Sequence, residues 1–359
     1  MKHGFTDFTT QPKRPHIGLI GAICLATGLA FTAAATNSEA SVIHATGYHK
    51  LNGPHIGTII IDSDFTTLDC QGYSILPNME RVCGDTGAPA TDCGVLIEAV
   101  SNAQVINCRI AGFGEGGEDV NKKGEGIYIR EGAEDVSISF NTFSDNRHGI
   151  RFSEIGDNDD YMPSSDIRTS WVVLWKNTFE NQHRNGVTIF HAYDVALVDN
   201  EMHSNGADGL DAAWSEYIKV FDSSSTNNGN AGLEFDFCRN VIVSGNSVSA
   251  NGNYPTRPNN GISFDDSDGI QIKDNYVLYN KKDGVRLNNI DENKSMTFLT
   301  GQAITSVASG NNIFMNGTPF DGSDDYCDVY EDDVEEELGW KTSMNQNSFQ
   351  TMCNKQGDM

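Results

Sequence analysis

The sequence predicts an all-β solenoid with coils of about 23 residues, and three observations support this prediction. The first is a recurring motif of glycine, an apolar residue, any residue and usually a second apolar residue. Its glycines are 23, 37, 23, 23, 29 and 23 residues apart, which is one period with insertions of 14 and 6. A fixed period of this length is typical of solenoids, in which each coil covers the apolar face of its neighbours. The motif glycines are Gly126, Gly149, Gly186, Gly209, Gly232, Gly261 and Gly284.

The second observation is that each repeat contains short runs of alternating apolar residues. In one repeat, Val187 alternates with Ile189, Val195 alternates with Leu197, and Met202 lies in a third run. Runs with a period of two and this length are too short for helices and are typical of strands. Three strands per coil, stacked about 4.8 Å apart, predict three parallel sheets.

The third observation is an asparagine that returns at one position of the repeat. Asparagine tolerates left-handed backbone and can satisfy the amides of a turn. The position therefore predicts a buried ladder, in which each side chain bonds the one in the next coil. Its members are Asn141, Asn177, Asn200, Asn246 and Asn275, with Ser223 as the one exception.

The repeats resemble the right-handed parallel β-helix of the pectate-lyase-like superfamily. The segment Phe65–Ile75 (FTTLDCQGYSI) also resembles the opening coil of its exported members, and the resemblance covers roughly residues 59–316. It implies a single-stranded right-handed parallel β-helix with three short sheets. A leucine-rich repeat has a similar period, but its leucine scaffold is absent here.

The repeat predicts one elongated domain between two other segments. Near the start, Lys2, Lys13 and Arg14 precede an apolar run over residues 17–35, as in a secretory signal peptide. The mature protein is therefore expected to be secreted or periplasmic, with an uncleaved membrane anchor as the alternative. The predicted divisions are a signal peptide over residues 1–40, the β-helix over residues 41–316 and an acidic C-terminal cap or tail over residues 317–359.

Charge and cysteine content constrain the partners and the compartment. A formal charge of −26 argues against binding to nucleic acid or to an anionic membrane. We expect a monomer without membrane contact after signal cleavage. Seven cysteines follow the apolar run, and an odd number in an exported chain leaves one thiol unpaired, which we assign to Cys238. Two disulfides are considered, Cys83 with Cys93 and Cys327 with Cys353.

Strand alternation predicts which side chains point outward from the first sheet. Residues two and four after each motif glycine form two outward columns, with carboxylates in the middle and arginines toward both ends. The first column is Tyr128, Arg151, Thr188, Asp211, Glu234, Ser263 and Arg286, and the second is Arg130, Ser153, Phe190, Ala213, Asp236, Asp265 and Asn288.

The central carboxylates predict a cation site. Asp211 and Glu234 would lie in adjacent coils, with Asp236 two residues along the strand. Like charges this close raise one another's pKa unless a cation lies between them, and oxygen ligands without cysteine or paired histidine suit calcium. Bound calcium would then hold the carboxylate of an acidic sugar. The alternative is an acidic stripe that only keeps the protein soluble.

These columns resemble those of calcium-dependent pectate lyases. The resemblance implies Asp211, Glu234 and Asp236 as calcium ligands, with Arg151 or Arg286 as the base near C5 of the sugar. Each arginine lies two coils from the nearest of these carboxylates, so neither is adjacent to the cation site.

The segment around Asp211 also resembles mannuronan C5-epimerases, whose Asp-Pro-His motif follows a glycine and an apolar residue. Here Asp211 matches the aspartate, while Ala212 and Ala213 replace the proline and the histidine. The resemblance therefore leaves His191 or His148 to handle the proton.

The predicted function is a lyase or C5-epimerase that abstracts the C5 proton of a uronate polysaccharide, either alginate-like or pectate-like. Its predicted substrate contacts are Tyr128, Phe190, Trp214 and Asp265. Two alternatives stay open: an inverting glycosidase that uses Asp211 with Asp236 or Asp265, and a glycan-binding or surface protein without catalysis.

Overall fold

The structure is a computed structural model that describes residues 41–43, 46–78, 93–114, 124–130, 132–153, 167–253, 259–288, 307–309, 311–314, 316, 329–332, 343–345, 348–349 and 352–355. These ranges contain strands and no helix. In this part of the chain there is accordingly no helical segment long and apolar enough to cross a membrane.

The strands, numbered β1 to β34 in chain order, form three parallel sheets. Sheet 1 contains β1 (Ser41–Ile43), β4 (Ile59–Ile61), β7 (Cys93–Ile97), β10 (Glu125–Arg130), β13 (Ile150–Ser153), β16 (Val187–Phe190), β19 (Leu210–Ala213), β22 (Leu233–Asp236), β25 (Ile262–Asp265), β28 (Val285–Asn288), β31 (Val329–Asp332) and β34 (Met352–Lys355). Sheet 2 contains β2 (Gly47–Lys50), β5 (Thr66–Asp69), β8 (Gln104–Ile106), β11 (Ser137–Ser139), β14 (Thr169–Trp175), β17 (Ala192–Val198), β20 (Glu216–Phe221), β23 (Ile242–Ser244), β26 (Gln271–Lys273), β29 (Val307–Ser309) and β32 (Ser343–Asn345). Sheet 3 contains β3 (His55–Ile56), β6 (Ser74–Leu76), β9 (Arg109–Ala111), β12 (Thr142–Ser144), β15 (Thr178–Glu180), β18 (Glu201–His203), β21 (Ser224–Thr226), β24 (Ser247–Ser249), β27 (Tyr276–Leu278), β30 (Asn312–Phe314) and β33 (Ser348–Phe349).

Each coil contributes one strand to each sheet, and every strand pairs with the strand three places along the chain. The predicted fold class, a single-stranded right-handed parallel β-helix with three short sheets, is confirmed. Inward residues fill the helix with an apolar core. Within it, aromatic rings of adjacent coils stack, as Phe143 does on Phe179 at 4.8 Å and Phe235 does on Phe264 at 4.9 Å.

The motif glycine is required by the close approach of neighbouring coils. A Cβ on Gly186 would lie 2.6 Å from the carbonyl oxygen of Gly209, and a Cβ on Gly209 would lie 2.5 Å from that of Gly232. Carbon and oxygen do not approach this closely without a bond, so only glycine fits where the chain enters sheet 1. The glycine repeat in the sequence is therefore explained by this contact between coils.

The predicted asparagine ladder is present at the corner between sheets 2 and 3. The Asn177 side chain donates to Oδ1 of Asn200 at 3.1 Å, and the Asn246 side chain donates to Oδ1 of Asn275 at 3.0 Å. Ser223 takes the intervening step, because its hydroxyl accepts the backbone N–H of Asn200 at 3.1 Å. The residue before each ladder position has a positive φ, as at Asp199 (54°), where the corner turns.

A second ladder, which the sequence analysis missed, follows the corner after sheet 3. Asn205 donates to Asn228 at 2.9 Å, and Asn228 donates to Asn251 at 3.0 Å. The chain of amides continues through Asn280 to Asn316. Two of the three corners of each coil are thus locked to the next coil by buried amides.

Cysteines follow the predictions only in part. Cys238 is free and buried, as predicted. Cys93 is disulfide-bonded, but Cys83 and Cys327 lie outside the described residues. The structure also contains an unpredicted disulfide, Cys70–Cys108, between adjacent coils.

The predicted limits of the domain are tested only where the chain is described. The predicted signal peptide, residues 1–40, lies outside the described residues. At the other end, β31 and β34 extend sheet 1, β32 extends sheet 2 and β33 extends sheet 3. The coils therefore continue beyond Asn316, where the sequence analysis placed the end of the repeat.

The ladder predicts the cost of losing one amide. Asn246→Ala removes the acceptor of the Ser223 backbone N–H and the donor to the carbonyl of Val220. We expect a loss of about 1–3 kcal/mol in the free energy of unfolding, because buried groups lose their partners. Asn246→Ser should lose less, because Ser223 already shows that a hydroxyl can fill a ladder position. Urea denaturation measures both, and equal losses would contradict this role of the amide.

Candidate functional site

The two outward columns of sheet 1 are in the predicted register. Asp211 pairs with Glu234, and Ala213 pairs with Asp236, which pairs with Asp265 in the next coil. The burial of β19 and β22 alternates, with apolar residues inside and these carboxyls on the outer side. Acids that are 23 or more residues apart in the chain are thereby brought to adjacent strands, about 4.8 Å apart.

A further polar column, absent from the sequence prediction, lies at the corner before sheet 1. Its members immediately precede the motif glycines, and six of the seven positions are polar and buried: Glu125, His148, Asn185, Asp208, Asn260 and Asp283. Most of these side chains bond the next coil. Oδ1 of Asn185 accepts the backbone N–H of Asp208 at 3.0 Å, and Oδ1 of Asp208 accepts that of Ala231 at 2.7 Å. The recurrence of a polar residue before glycine was the signal that would have revealed this column.

Asp208 brings a fifth carboxyl to the four on the strands. We call Asp208, Asp211, Glu234, Asp236 and Asp265 the carboxyl cluster. Asp208 is 5% exposed and hydrogen-bonds the Glu234 side chain. Two carboxyls can share a hydrogen bond only when one of them carries a proton. A hydrogen bond between the Asp208 and Glu234 carboxyls therefore requires a proton on one of them.

Burial and mutual repulsion raise the pKa values of the cluster. Burial, followed by the charge of Asp211, raises the pKa of Asp208 to about 8. Burial, followed by the charges of Glu234 and Asp211, raises the pKa of Asp236 to about 8. Burial and the neighbouring carboxylates raise the pKa of Glu234 well above its usual value. Burial also raises the pKa of Asp265, which the Asn288 side chain partly opposes by donating at 2.9 Å.

A chain of hydrogen bonds joins Asp211 to His148 across two coils. The Asn185 amide donates to Oδ2 of Asp211 at 2.9 Å and to Oγ1 of Thr188 at 3.0 Å. The Thr188 hydroxyl lies 2.9 Å from Nδ1 of His148. Because that hydroxyl accepts from Asn185, its own proton is free to go to Nδ1, which places the ring proton of His148 on Nε2. Burial and the charges of Arg151, Arg147 and Arg184 lower the pKa of His148, so the ring is neutral.

The two predicted bases lie in the first column, and neither is beside Asp211. Arg151 is separated from Asp211 by Thr188 and is only 3% exposed. Its guanidinium lies 3.7 Å from the carboxylate of Glu125. Arg286 is separated from Glu234 by Ser263. Its charge partly opposes the rise in the pKa of Asp265 that burial causes.

The remaining predicted residues fall into two groups. Tyr128 packs against the small apolar cluster of Cys93 and Leu96 over the early coils of sheet 1. The ring of His191 is buried, at 3% exposure. Phe190 and Trp214 are half-buried near the carboxyl cluster, and Trp214 stacks on Phe237 at 4.3 Å. The aromatic rings near the acids are thus those of the later coils.

The calcium prediction is not tested by the structure and stays a prediction. Among the described residues, no group of three or more His, Cys, Asp or Glu side chains is arranged to hold a metal ion. Crowded carboxyls are relieved either by a cation or by protons.

The cluster predicts a pH dependence of stability. The folded protein keeps the Asp236 proton at pH values where the unfolded chain, with a pKa near 3.8, has released it. This contribution is full below about pH 4 and is lost as the pH rises toward about 8. Asn cannot ionise, so Asp236→Asn should be more stable than the wild type at pH 8, by about 1 kcal/mol or more, with the difference vanishing near pH 4.

Chemical denaturation across this pH range measures the difference. Asp222→Asn, with the same change of charge at an exposed corner, is the matched control and should show little effect. Equal pH profiles for both variants would contradict the shifted pKa of Asp236.

Comparisons with known proteins agree with the β-helix fold. The family described as right handed beta helix region matches residues 166–324. A mannuronan C5-epimerase of Pseudomonas putida is 24% identical over 172 residues, which are 47% of this chain and only 28% of that protein.

Among solved structures, a variant of the periplasmic alginate epimerase AlgG gives a TM-score of 0.56 at 14% identity, covering 88% of this chain and 77% of that one. The A-module of the Azotobacter vinelandii mannuronan C-5 epimerase AlgE4 gives 0.53 at 12% identity, covering 85% and 79%. At these identities the likeness establishes the fold. The chain has a right-handed parallel β-helix fold, which it shares with the mannuronan C5-epimerases to which it is similar.

Proposed function

We propose that the chain is an enzyme that removes the C5 proton of a uronate polysaccharide, as a lyase or a C5-epimerase. The carboxyl cluster on the outer face of sheet 1 is the observation that carries this proposal. It places groups with a pKa of about 8, Asp208 and Asp236, beside Asp211. Acid and base catalysis near neutral pH needs groups that titrate in this range.

The raised pKa values also allow an anionic substrate to approach an acidic surface. At neutral pH, Asp236 is largely protonated and can donate a hydrogen bond to the carboxylate of a uronate. Such a bond draws charge from that carboxylate, which makes the adjacent C5 proton easier to remove. The negative charge of the uronate carboxylate is then partly balanced by the proton on Asp236.

Asp211 is the proposed base. Its Oδ2 accepts a hydrogen bond from Asn185, and an N–H donor stabilises the ionised form of a carboxyl. Its charge is among the causes that raise the pKa values of Asp208, Glu234 and Asp236. In a lyase, loss of the C5 proton is followed by release of the oxygen at C4, and in an epimerase a proton returns to the opposite face of C5.

The comparisons support the substrate class, and the disulfide supports the compartment. The similar proteins are described as alginate or mannuronan epimerases, which act on uronate polymers. Because the curated relative is matched over only 28% of its length, its activity enters here as a proposal. Disulfides such as Cys70–Cys108 persist in oxidising compartments, which supports a secreted or periplasmic protein.

Asp211→Asn tests the base. Asparagine keeps an oxygen that can accept from Asn185 but cannot take a proton, so turnover of alginate or polygalacturonate should fall by about 100-fold or more. Asp222→Asn is the control for the change of charge. Unchanged turnover, or loss of the fold in the Asp211 variant, would overturn the assignment.

The product identifies the reaction. A lyase gives unsaturated ends that absorb ultraviolet light, whereas an epimerase changes the proton spectrum of the polymer without new ends. Reducing ends without that absorbance would instead indicate a glycosidase, and binding without any product would indicate a glycan-binding protein.

Calcium is tested separately. Its proposed ligands are Asp211, Glu234 and Asp236, and protons compete with a cation for the same oxygens. If calcium binds there, calorimetric titration should show tighter binding at pH 9 than at pH 6, and Asp236→Asn should weaken it. No heat of binding at either pH would leave protons as the means by which the cluster is neutralised.

A further inference from the structure

The outer face of sheet 2 carries a group of exposed aromatic rings. The carboxyl cluster lies on a different sheet, sheet 1. Strand β14 alternates so that Trp171, Val173 and Trp175 face outward, and these side chains are 46%, 41% and 38% exposed. The coil before adds Phe140, and the two coils after add Tyr193 and Tyr217. We call Phe140, Trp171, Val173, Trp175, Tyr193 and Tyr217 the sheet-2 aromatic surface.

Rings of neighbouring coils contact each other in two pairs on this surface. Phe140 packs edge-on against Trp175 with ring centroids 4.8 Å apart, and Tyr193 packs edge-on against Tyr217 at 5.1 Å. It extends over four coils, about 14 Å along the helix axis, and over about 13 Å along β14. Exposed apolar patches that are contiguous on this scale mark binding surfaces in soluble proteins.

The Trp175 ring is held in place by two polar groups. The Trp175 indole N–H donates to Oδ2 of Asp199 at 3.3 Å, and the Lys176 ammonium lies 5.0 Å from the centre of the Trp175 ring. A ring that is oriented in this way before binding loses little entropy when it binds a partner. The arrangement favours stacking on a flat partner over a role in packing.

The charges around the surface are paired within it. Lys219 lies 2.6 Å from Asp194, and Arg168 lies 3.5 Å from Glu216. These two ion pairs add no net charge to the surface, whereas the whole chain carries −26. A second copy of the chain or an anionic lipid surface would be repelled by that charge. An uncharged partner that stacks on aromatic rings fits better.

We infer that the sheet-2 aromatic surface binds a polysaccharide through the uncharged faces of its pyranose rings, as an anchoring site separate from the reaction on sheet 1. The C–H groups of a pyranose face carry slight positive charge and meet the negative face of an aromatic ring. Several rings in a row bind an extended sugar chain better than a single sugar.

Affinity electrophoresis in gels cast with alginate, polygalacturonate, mannan or a soluble β-glucan tests this site. At least one polymer should retard the protein, and Trp171→Ala combined with Trp175→Ala should weaken that affinity by about tenfold or more. Tyr276→Ala combined with Tyr279→Ala removes two exposed rings from sheet 3 and its following corner and should leave the affinity unchanged.

The inference is overturned if no polymer retards the wild type, or if the tryptophan variant is retarded as strongly as the wild type. Sedimentation velocity supplies an independent outcome: a wild-type dimer that the tryptophan variant converts to a monomer would make this face an interface between copies. Thermal unfolding checks that the variant is folded, and Trp171→Ala alone serves as the test if the double variant is not.

Discussion

The register between coils is the constraint on which the rest of the structure depends. The side-chain period of a strand is two, so a slip of one residue would turn Asp211 and Glu234 into the core and bring Leu210 and Leu233 to the surface. Three devices prevent the slip: the glycine contact at the entry to sheet 1, the amide ladders at two corners and the polar column before the glycines. Each device fixes one coil relative to the next, so the register that positions the strand carboxyls is set by contacts at the corners.

A fixed register makes the crowding of acids unavoidable, and this has an energetic consequence. The carboxyls cannot move apart without breaking backbone pairing, and burial removes the water that would screen them. Protonation therefore relieves the repulsion, and the pKa values of Asp208 and Asp236 rise to about 8. The carboxyl cluster carries the least negative charge below about pH 8. Above about pH 8 the cluster becomes anionic and would repel a uronate polymer. The repulsion among the carboxyls would therefore limit the pH range in which the proposed substrate binds.

The sequence was sufficient for the fold and for the two columns, because both follow from the glycine period and from strand alternation. Other features could not be read from those patterns. The second ladder contains Gln182 in place of asparagine, which interrupts the recurrence of one residue type. The role of Asp208 depends on its place at a corner, where alternation predicts nothing. The burial of Arg151 arises from Glu125, which belongs to the preceding coil and precedes a glycine. Contacts made between coils by corner residues are thus the part that periodicity does not reveal.

The register also bears on the histidine that the resemblance to epimerases leads one to expect. Ala213 stands at the position of that histidine, and its partner in the next coil is Asp236. A methyl group at Ala213 leaves space on the outer face, and the carboxyl beside it has a pKa of about 8, on the alkaline side of an ordinary imidazole. A group that exchanges a proton near neutral pH is therefore present at this place on the sheet, supplied by the neighbouring coil. Burial contributes most to this pKa, and the charges of Glu234 and Asp211 raise it further, so the proton chemistry depends on the cluster as well as on Asp236.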